Sequence, residues 1–156
     1  MSDYQPYSGE NESSWSNQPP VPGGPSGPRA SFGTRLGAWI IDFLIVAVVS
    51  FILVALLRGV GTIISYLFDI GYVVYFFGSE RGQTPGYMAT GIRVISADGR
   101  GSIGYGRSFV RWLVSLISAW AILVGYLWML WDREKQTWFD KASNSVVVPV
   151  AAYPTN

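Results

Sequence analysis

Apolar residues fall into three blocks along this chain and are sparser between them. The first block, Leu36–Leu57, has about 22 residues, and at ~1.5 Å per residue a helix of that length crosses a bilayer. The second, Thr62–Phe77, is short for a span, but only the turn Arg58–Gly61 separates it from the first, which favours an antiparallel hairpin. The third, Trp112–Trp131, contains no charged residue and is long enough to span. We therefore predict transmembrane helices over about residues 36–57, 62–77 and 108–131.

The segment between the second and third blocks, residues 78–107, is rich in glycine and is predicted to be mainly loop. Within it, Ile92–Ser96 has the composition of a short strand, and Ser145–Val150 has a similar one. Two short strands in one small protein favour pairing with each other. Pairing would place both on one side of the membrane and would require the third block to be a bent, re-entrant hairpin, whereas the length of that block favours a full span. The sequence leaves both arrangements open.

The first 30 residues contain no apolar block and are dominated by Pro, Gly, Ser, Asn and Gln. Such a composition cannot bury enough apolar surface to offset the entropy of ordering. We therefore predict a disordered tail over residues 1–30, a membrane domain over residues 31–150 and a short C-terminal tail over residues 151–156. The tail has neither the basic opening nor the apolar run of a signal peptide. Arg29 and Arg35 precede the first block, and their positive charge predicts a cytoplasmic N-terminus.

Composition narrows the class of protein further. Apolar residues make up 49% of the chain and charged residues 13%, which together with the clustering indicates a membrane protein. Cysteine and histidine are both absent, so disulfides, thiol chemistry, histidine acid–base catalysis and the usual zinc sites are excluded. No serine has a visible base, and a net charge of +1 gives no reason to expect nucleic acid. We therefore predict a protein that is not an enzyme and has no metal or cofactor.

Two acidic residues lie inside the apolar blocks. An aspartate near the middle of a membrane helix costs roughly 2.5–3.5 kcal/mol on insertion scales, so Asp42 in the first block needs a partner, water or a function. Arg35 lies nearly two turns earlier on the same helix face, about 10 Å away, which is too far for a direct ion pair. We expect each of the two to have its partner on another segment. Asp69 in the second block is a candidate for an ion site or for a helix-packing contact.

Three interpretations of Arg35 and Asp42 stay open: a buried polar contact that fixes helix packing, an element that moves ions or protons, and a binding site for a partner. The first needs the fewest assumptions and is preferred here. Two further arginines, Arg107 and Arg111, lie one helical turn apart at the start of the third block. Their position predicts contact with lipid headgroups or with another anion.

Three stretches of the chain resemble one known family. They are "FGTRLGAWIID" (Phe32–Asp42), "GQTPGYMATGIRVISADG" (Gly82–Gly99) and "LWMLWDREKQTWFDKASNSVVV" (Leu127–Val148). Their order and content are similar to the RDD family of bacterial membrane proteins, which is named for one arginine and two aspartates. The resemblance covers about residues 31–150 and implies that the three signature residues of this chain are Arg35, Asp42 and Asp140.

The resemblance implies a multi-pass protein of a bacterial cell membrane. Most members of that family have no assigned activity, and some have been linked to cation/proton antiport. Combining the resemblance with the pattern, we expect an all-α integral membrane protein with about three transmembrane helices, a short two-strand element and a disordered N-terminal tail. Its role is expected to be non-enzymatic and transport-related, with two alternatives: an accessory or assembly subunit of a larger membrane complex, or an antiporter-like activity as an oligomer. The expected partners are the lipid bilayer and either further copies of the chain or other membrane proteins.

Overall fold

The computed structural model describes residues 27–98, 101–120 and 124–153. The predicted tail, apart from residues 27–30, therefore lies outside the described residues, as do the last three residues of the predicted C-terminal tail. The packed part of the chain includes Ala30, the last residue of the predicted tail. Ala30 is buried, and its backbone N–H donates to the Val147 carbonyl at 2.9 Å.

Two helices form a hairpin at the start of the described chain. Helix α1, Phe32–Leu57, begins after Ser31, whose hydroxyl accepts a hydrogen bond from the Thr34 backbone N–H. A 3-10 turn, Arg58–Val60, leads into α2, Gly61–Gly78. Arg58 has a φ of 50° and a ψ of −130°, a backbone conformation that non-glycine residues rarely adopt, and α1 ends there as the chain reverses.

Contacts between α1 and α2 show that the two helices are antiparallel. Near the turn, Gly61 lies against the backbone of Leu53, and further along Tyr72 bonds to Asp42. The contacting residue on α2 is later in the chain (Tyr72 instead of Gly61) where its partner on α1 is earlier (Asp42 instead of Leu53), which is the pattern of an antiparallel pair. The hairpin predicted from the short connection is present.

Residues predicted as mainly loop contain more regular structure than expected. A one-and-a-half-turn helix α3, Pro85–Ala89, precedes strand β1, Ile92–Ser96. Strand β2, Ser145–Pro149, pairs with β1 in an antiparallel ladder in which Val94 faces Val147. Every residue of β1 is buried, and both of these valines are fully inaccessible. The predicted pairing of the two strands is confirmed.

The third apolar block is bent. Helix α4, Gly104–Trp120, is followed by α5, Val124–Leu127, which continues into a 3-10 turn, Trp128–Leu130. The two helical segments make an angle of 115° with each other. Among the described residues, the helix predicted over 108–131 is thus two segments at an angle, a shape that agrees with the bent alternative that strand pairing required. After the bend, α6, Trp138–Ala142, packs against α4 and leads into β2.

Within the described residues, one continuous helical run, Phe32–Gly78, is long and apolar enough to cross a membrane. It includes α1, α2 and the turn between them, and its most apolar 18 residues have a mean hydropathy of 3.0 with none of them buried. Large apolar side chains such as Phe51 and Leu56 are about three-quarters exposed. Apolar surface of this extent is typical of a protein that faces lipid or another protein. Helix α4 and the helical segment after the bend are long and apolar enough to cross a membrane only when the two are counted together as one span.

Candidate functional site

Asp140 is the centre of a buried ionic cluster, the RDD cluster, formed with Arg35 and Arg111. The Arg35 Nη1 donates to Asp140 Oδ2 at 2.6 Å, and the Arg111 Nη1 forms an ion pair with Oδ1. All three side chains are at most 3% exposed. The cluster joins α1, α4 and α6, which lie far apart in the sequence.

Local structure orients the carboxylate of Asp140. Thr137 is the N-cap of α6: its hydroxyl accepts from the Asp140 backbone N–H, and its own backbone N–H donates to Asp140 Oδ2 at 2.9 Å. This reciprocal pair is a capping box, which satisfies two backbone donors at the helix start. A helix N-terminus also favours a negative charge. The turn Thr137–Asp140 therefore presents the carboxylate to both arginines.

Aromatic rings and further acceptors surround the two guanidinium groups. Arg111 lies over the rings of Phe77 and Phe139, with centroids at 5.1 Å and 4.8 Å. Its Nη1 also donates to the Ser145 hydroxyl at 3.0 Å, and the Arg35 Nη2 donates to a backbone carbonyl at 2.8 Å. A buried guanidinium is stable only when its donors find such partners.

The electrostatic balance keeps Asp140 ionised. Burial by itself raises the pKa of this carboxyl group. The positive charges of Arg111 and Arg35 and the backbone N–H of Thr137 act in the opposite direction and prevail, so the pKa falls to about 2. Because both oxygens are bound to donors, the carboxylate has little capacity to hold a further cation. The arrangement is suited to fixing three segments together.

This geometry corrects the sequence interpretation of Arg111. Contact with lipid headgroups or with another anion was predicted; the side chain is 3% exposed, which excludes headgroups, and the anion it meets is Asp140 of the same chain. Its neighbour Arg107 is exposed, and its Nη1 donates to the Ser96 hydroxyl at 2.9 Å. Headgroup contact by Arg107 stays a prediction.

Asp42, the remaining signature residue, lies outside the RDD cluster and holds α3 against α1. Its Oδ2 accepts from the Thr84 hydroxyl at 2.5 Å, and its Oδ1 accepts from the Gly86 backbone N–H at 2.8 Å and from the Tyr72 hydroxyl at 2.7 Å. A Cβ atom at Gly86 would overlap the Ala38 carbonyl and lie 2.7 Å from the Asp42 Cγ. Glycine at this position lets the backbone of α3 reach the carboxylate. As expected from helix geometry, neither Arg35 nor Asp42 has the other as its partner.

Asp69 has a different environment. The hydrogen-bond donor that the structure gives it is the Trp112 indole Nε1, at the long distance of 3.3 Å. Asp69 is partly buried and lines a cavity of about 370 Å³ between α1, α2 and α4. Among the described residues, no group of three or more Asp, Glu, His or Cys side chains is placed to hold a metal ion.

Several residues of the site were not identified from the sequence alone. Arg111 was assigned to lipid headgroups or another anion, and Tyr72, Thr84 and Thr137 were not singled out. One signal was available: Thr137 and Asp140 have the Thr-x-x-acid spacing of a capping box, which marks a helix start. The role of Arg111 depends on the bend after α4, and no local pattern reports that bend.

Comparison with curated proteins finds relatives among mycobacterial antigens. The chain is 33% identical over 97 residues to the "Proline-rich antigen homolog" of Mycobacterium tuberculosis, in both strain CDC 1551 / Oshkosh and strain H37Rv. That alignment covers 58% of this chain and 40% of the relative. The "Proline-rich antigen" of Mycobacterium leprae is 33% identical over 89 residues, which is 55% of this chain and 36% of that protein. The matched region thus spans well under half the length of these relatives. No solved structure matches the chain.

The family comparison covers most of the domain described above. The sequence profile of the RDD family matches residues 29–144, a range that contains α1 through α6, β1, and all three signature residues. The match begins at Arg29, next to the buried Ala30 with which the packed chain starts. The chain belongs to the RDD family.

Proposed function

We propose that this chain is a non-enzymatic, multi-pass membrane protein that acts as an accessory or assembly subunit of a membrane complex. In this proposal the RDD cluster is a clamp that holds the sheet and α6 against the ends of the helices. The observation that carries it is the saturation of Asp140: two arginines and a backbone N–H occupy its oxygens. A carboxylate engaged in this way is unsuited to bind and release a transported ion.

The proposed topology has two full spans and one re-entrant element. Helices α1 and α2, of 26 and 18 residues, cross the membrane as a hairpin, and α4 enters and turns back at its bend. The pairing of β1 with β2 supports this arrangement. The two strands flank the bent element in the sequence, and paired strands must lie on the same side of the membrane. Ion pairing of Arg35 with Asp140 supports it in the same way.

Charge asymmetry supports a cytoplasmic location for that side. The turn between α1 and α2 carries only Arg58, whereas the opposite end of the hairpin carries many more basic residues. Positive residues in short loops remain on the cytoplasmic side. The basic residues of that end include Arg29, Arg81, Arg93, Arg107, Arg133, Lys135 and Lys141.

The exposed apolar surface of the hairpin supports a role in assembly. Phe43, Val48 and Phe51 on α1 are all more than half exposed. Two spans and a re-entrant helix are too few to enclose an ion pathway, so transport would need several copies. The same surface serves equally for packing against other membrane proteins.

Reconstitution separates this proposal from transport. Purified protein in proteoliposomes should give no proton flux above empty liposomes when a sodium or potassium gradient is imposed. Chemical cross-linking in native membranes, followed by purification in mild detergent, should give a partner in fixed stoichiometry. Asp42→Asn keeps the acceptor oxygen but removes the charge, and it serves as the diagnostic variant. A robust wild-type flux that is lost in a thermally stable Asp42→Asn protein would overturn the proposal and identify α1 as a transport element.

A further inference from the structure

The cavity between α1, α2 and α4 has mainly apolar walls with a few charged groups. Trp39 and Phe43 line it from α1, Tyr72 from α2 and Trp112 from α4. Its volume of about 370 Å³ lies at the lower end of the range for small-molecule sites. Such a volume accommodates an aryl group with a small substituent.

The charges at and beside the cavity do not balance. Arg35 and Arg111 line it, and Asp140 of the RDD cluster lies directly behind them. Asp42 and Asp69 also line it. By formal charge these five groups carry two positive and three negative charges, so one negative charge is in excess. A monocation in the cavity would balance it.

Asp69 is the carboxylate best placed to meet that cation. Asp42 accepts three hydrogen bonds, and Asp140 is held by two arginines. Among the described residues, the one hydrogen bond that Asp69 accepts is the long bond from the Trp112 indole, so it keeps acceptor capacity toward the cavity. An acid on a membrane helix without a cationic partner is costly, which gives a bound cation a stabilising role.

The walls favour an organic cation over an inorganic one. A sodium ion needs several oxygen ligands to replace its water, whereas apolar carbon, much of it aromatic, lines most of this cavity. Aromatic rings attract ammonium groups through their negative faces, and they also bury an apolar body. Tyr72 supplies such a ring from α2, the helix that carries Asp69, and Trp112 supplies one from α4.

We propose that this cavity binds a hydrophobic monocation, an amine or quaternary ammonium with an aryl or alkyl body, and that Asp69 is its counter-charge. Asp69 lies outside the family signature, whereas Arg35 and Arg111 of the RDD cluster form another part of the cavity wall. The site does not depend on the proposed role as an accessory subunit.

Two probes of the same shape test the charge requirement. Benzyltrimethylammonium has a positively charged nitrogen at the position where neopentylbenzene has a neutral carbon, so the two probes differ in charge but not in shape. Binding of each to the full-length protein in phosphatidylcholine nanodiscs is measured by equilibrium dialysis, with empty nanodiscs subtracted to remove partitioning into lipid. We expect the cation to bind saturably and at least 10-fold more tightly than its neutral isostere.

Three variants locate the binding. Asp69→Asn retains an acceptor for Trp112. It should bind the cation about 10-fold more weakly than the wild-type protein does, with the affinity for the neutral probe unchanged. Ser115→Phe places a ring on the cavity wall and should reduce the binding of both probes. Glu80→Gln removes an exposed acid outside the cavity lining and should change neither. Thermal unfolding of each variant establishes that it is folded.

The outcomes distinguish the proposal from its alternatives. Equal binding of the two probes by the wild-type protein would overturn it and indicate an apolar groove that takes a lipid tail. Cation binding that is unchanged in Asp69→Asn would overturn it as well. Displacement of the probe by sodium at the same concentration would identify an inorganic cation site instead. The wild-type comparison stands even if Asp69→Asn does not fold.

Discussion

At the scale of single residues, Asp140 contributes most to the stability of the RDD cluster because it is the counter-charge of two buried arginines. Asp140→Asn leaves Arg35 and Arg111 buried with no carboxylate between them. Breaking a buried ion pair from one side costs about 3–5 kcal/mol, so we expect a clear fall in the unfolding temperature in detergent. The control is Asp132→Asn, which weakens a pair with Lys141, whose side chain is 44% exposed. It keeps an acceptor oxygen for the backbone N–H groups of Glu134 and Gln136, so it should cost only about 1 kcal/mol. Equal losses in the two variants would contradict the structural role of the cluster.

The titration of Asp140 gives a second prediction at this scale. Its pKa is about 2 in the folded protein against an ordinary value of 3.8, so folding favours the ionised form. Its contribution to stability is therefore complete above about pH 4 and is lost as the pH falls toward 2. We expect the unfolding temperature of the wild-type protein to fall more steeply across this range than that of Asp140→Asn. Parallel curves for the two proteins would show that Asp140 does not titrate with the folding transition.

At the scale of elements, the close contact between α4 and α5 makes the bend possible. A Cβ atom at Gly125 would lie 2.7 Å from the Ser118 Cβ and 2.9 Å from a ring carbon of Trp138. Gly125→Val should therefore push α5 away from α4 and α6 and lower the unfolding temperature. Gly106→Ala on α4 is the control, because a Cβ atom there meets nothing within 4 Å, and it should be neutral or slightly stabilising. A fully stable Gly125→Val protein would show that the close contact does not hold the bend.

The elements also show how far the sequence could predict this fold. The α1–α2 hairpin and the two strands follow from local patterns: apolar block length, a short connection and β-branched runs. Separate partners for Arg35 and Asp42 follow from helix spacing alone. The bend does not, because the uncharged block from Trp112 to Trp131 has the same composition whether it is straight or folded back. Its shape is decided by contacts with α6, and the burial of Arg111 follows from that shape.

At the scale of the whole molecule, the fold predicts which segments share a side of the membrane. The absence of cysteine makes single-cysteine labelling clean. Gly59→Cys lies in the turn between α1 and α2, Ala97→Cys follows β1, and Ala142→Cys ends α6; all three positions are exposed. An impermeant thiol reagent on intact cells should label Gly59→Cys alone, and the other two should react only after permeabilisation.

Labelling of Ala142→Cys together with protection of Ala97→Cys would mean that α4 and α5 cross the membrane completely, which would separate Asp140 from Arg35. Labelling of both with protection of Gly59→Cys would keep the re-entrant fold but invert its orientation. The three positions thus test the fold and the charge-based orientation independently.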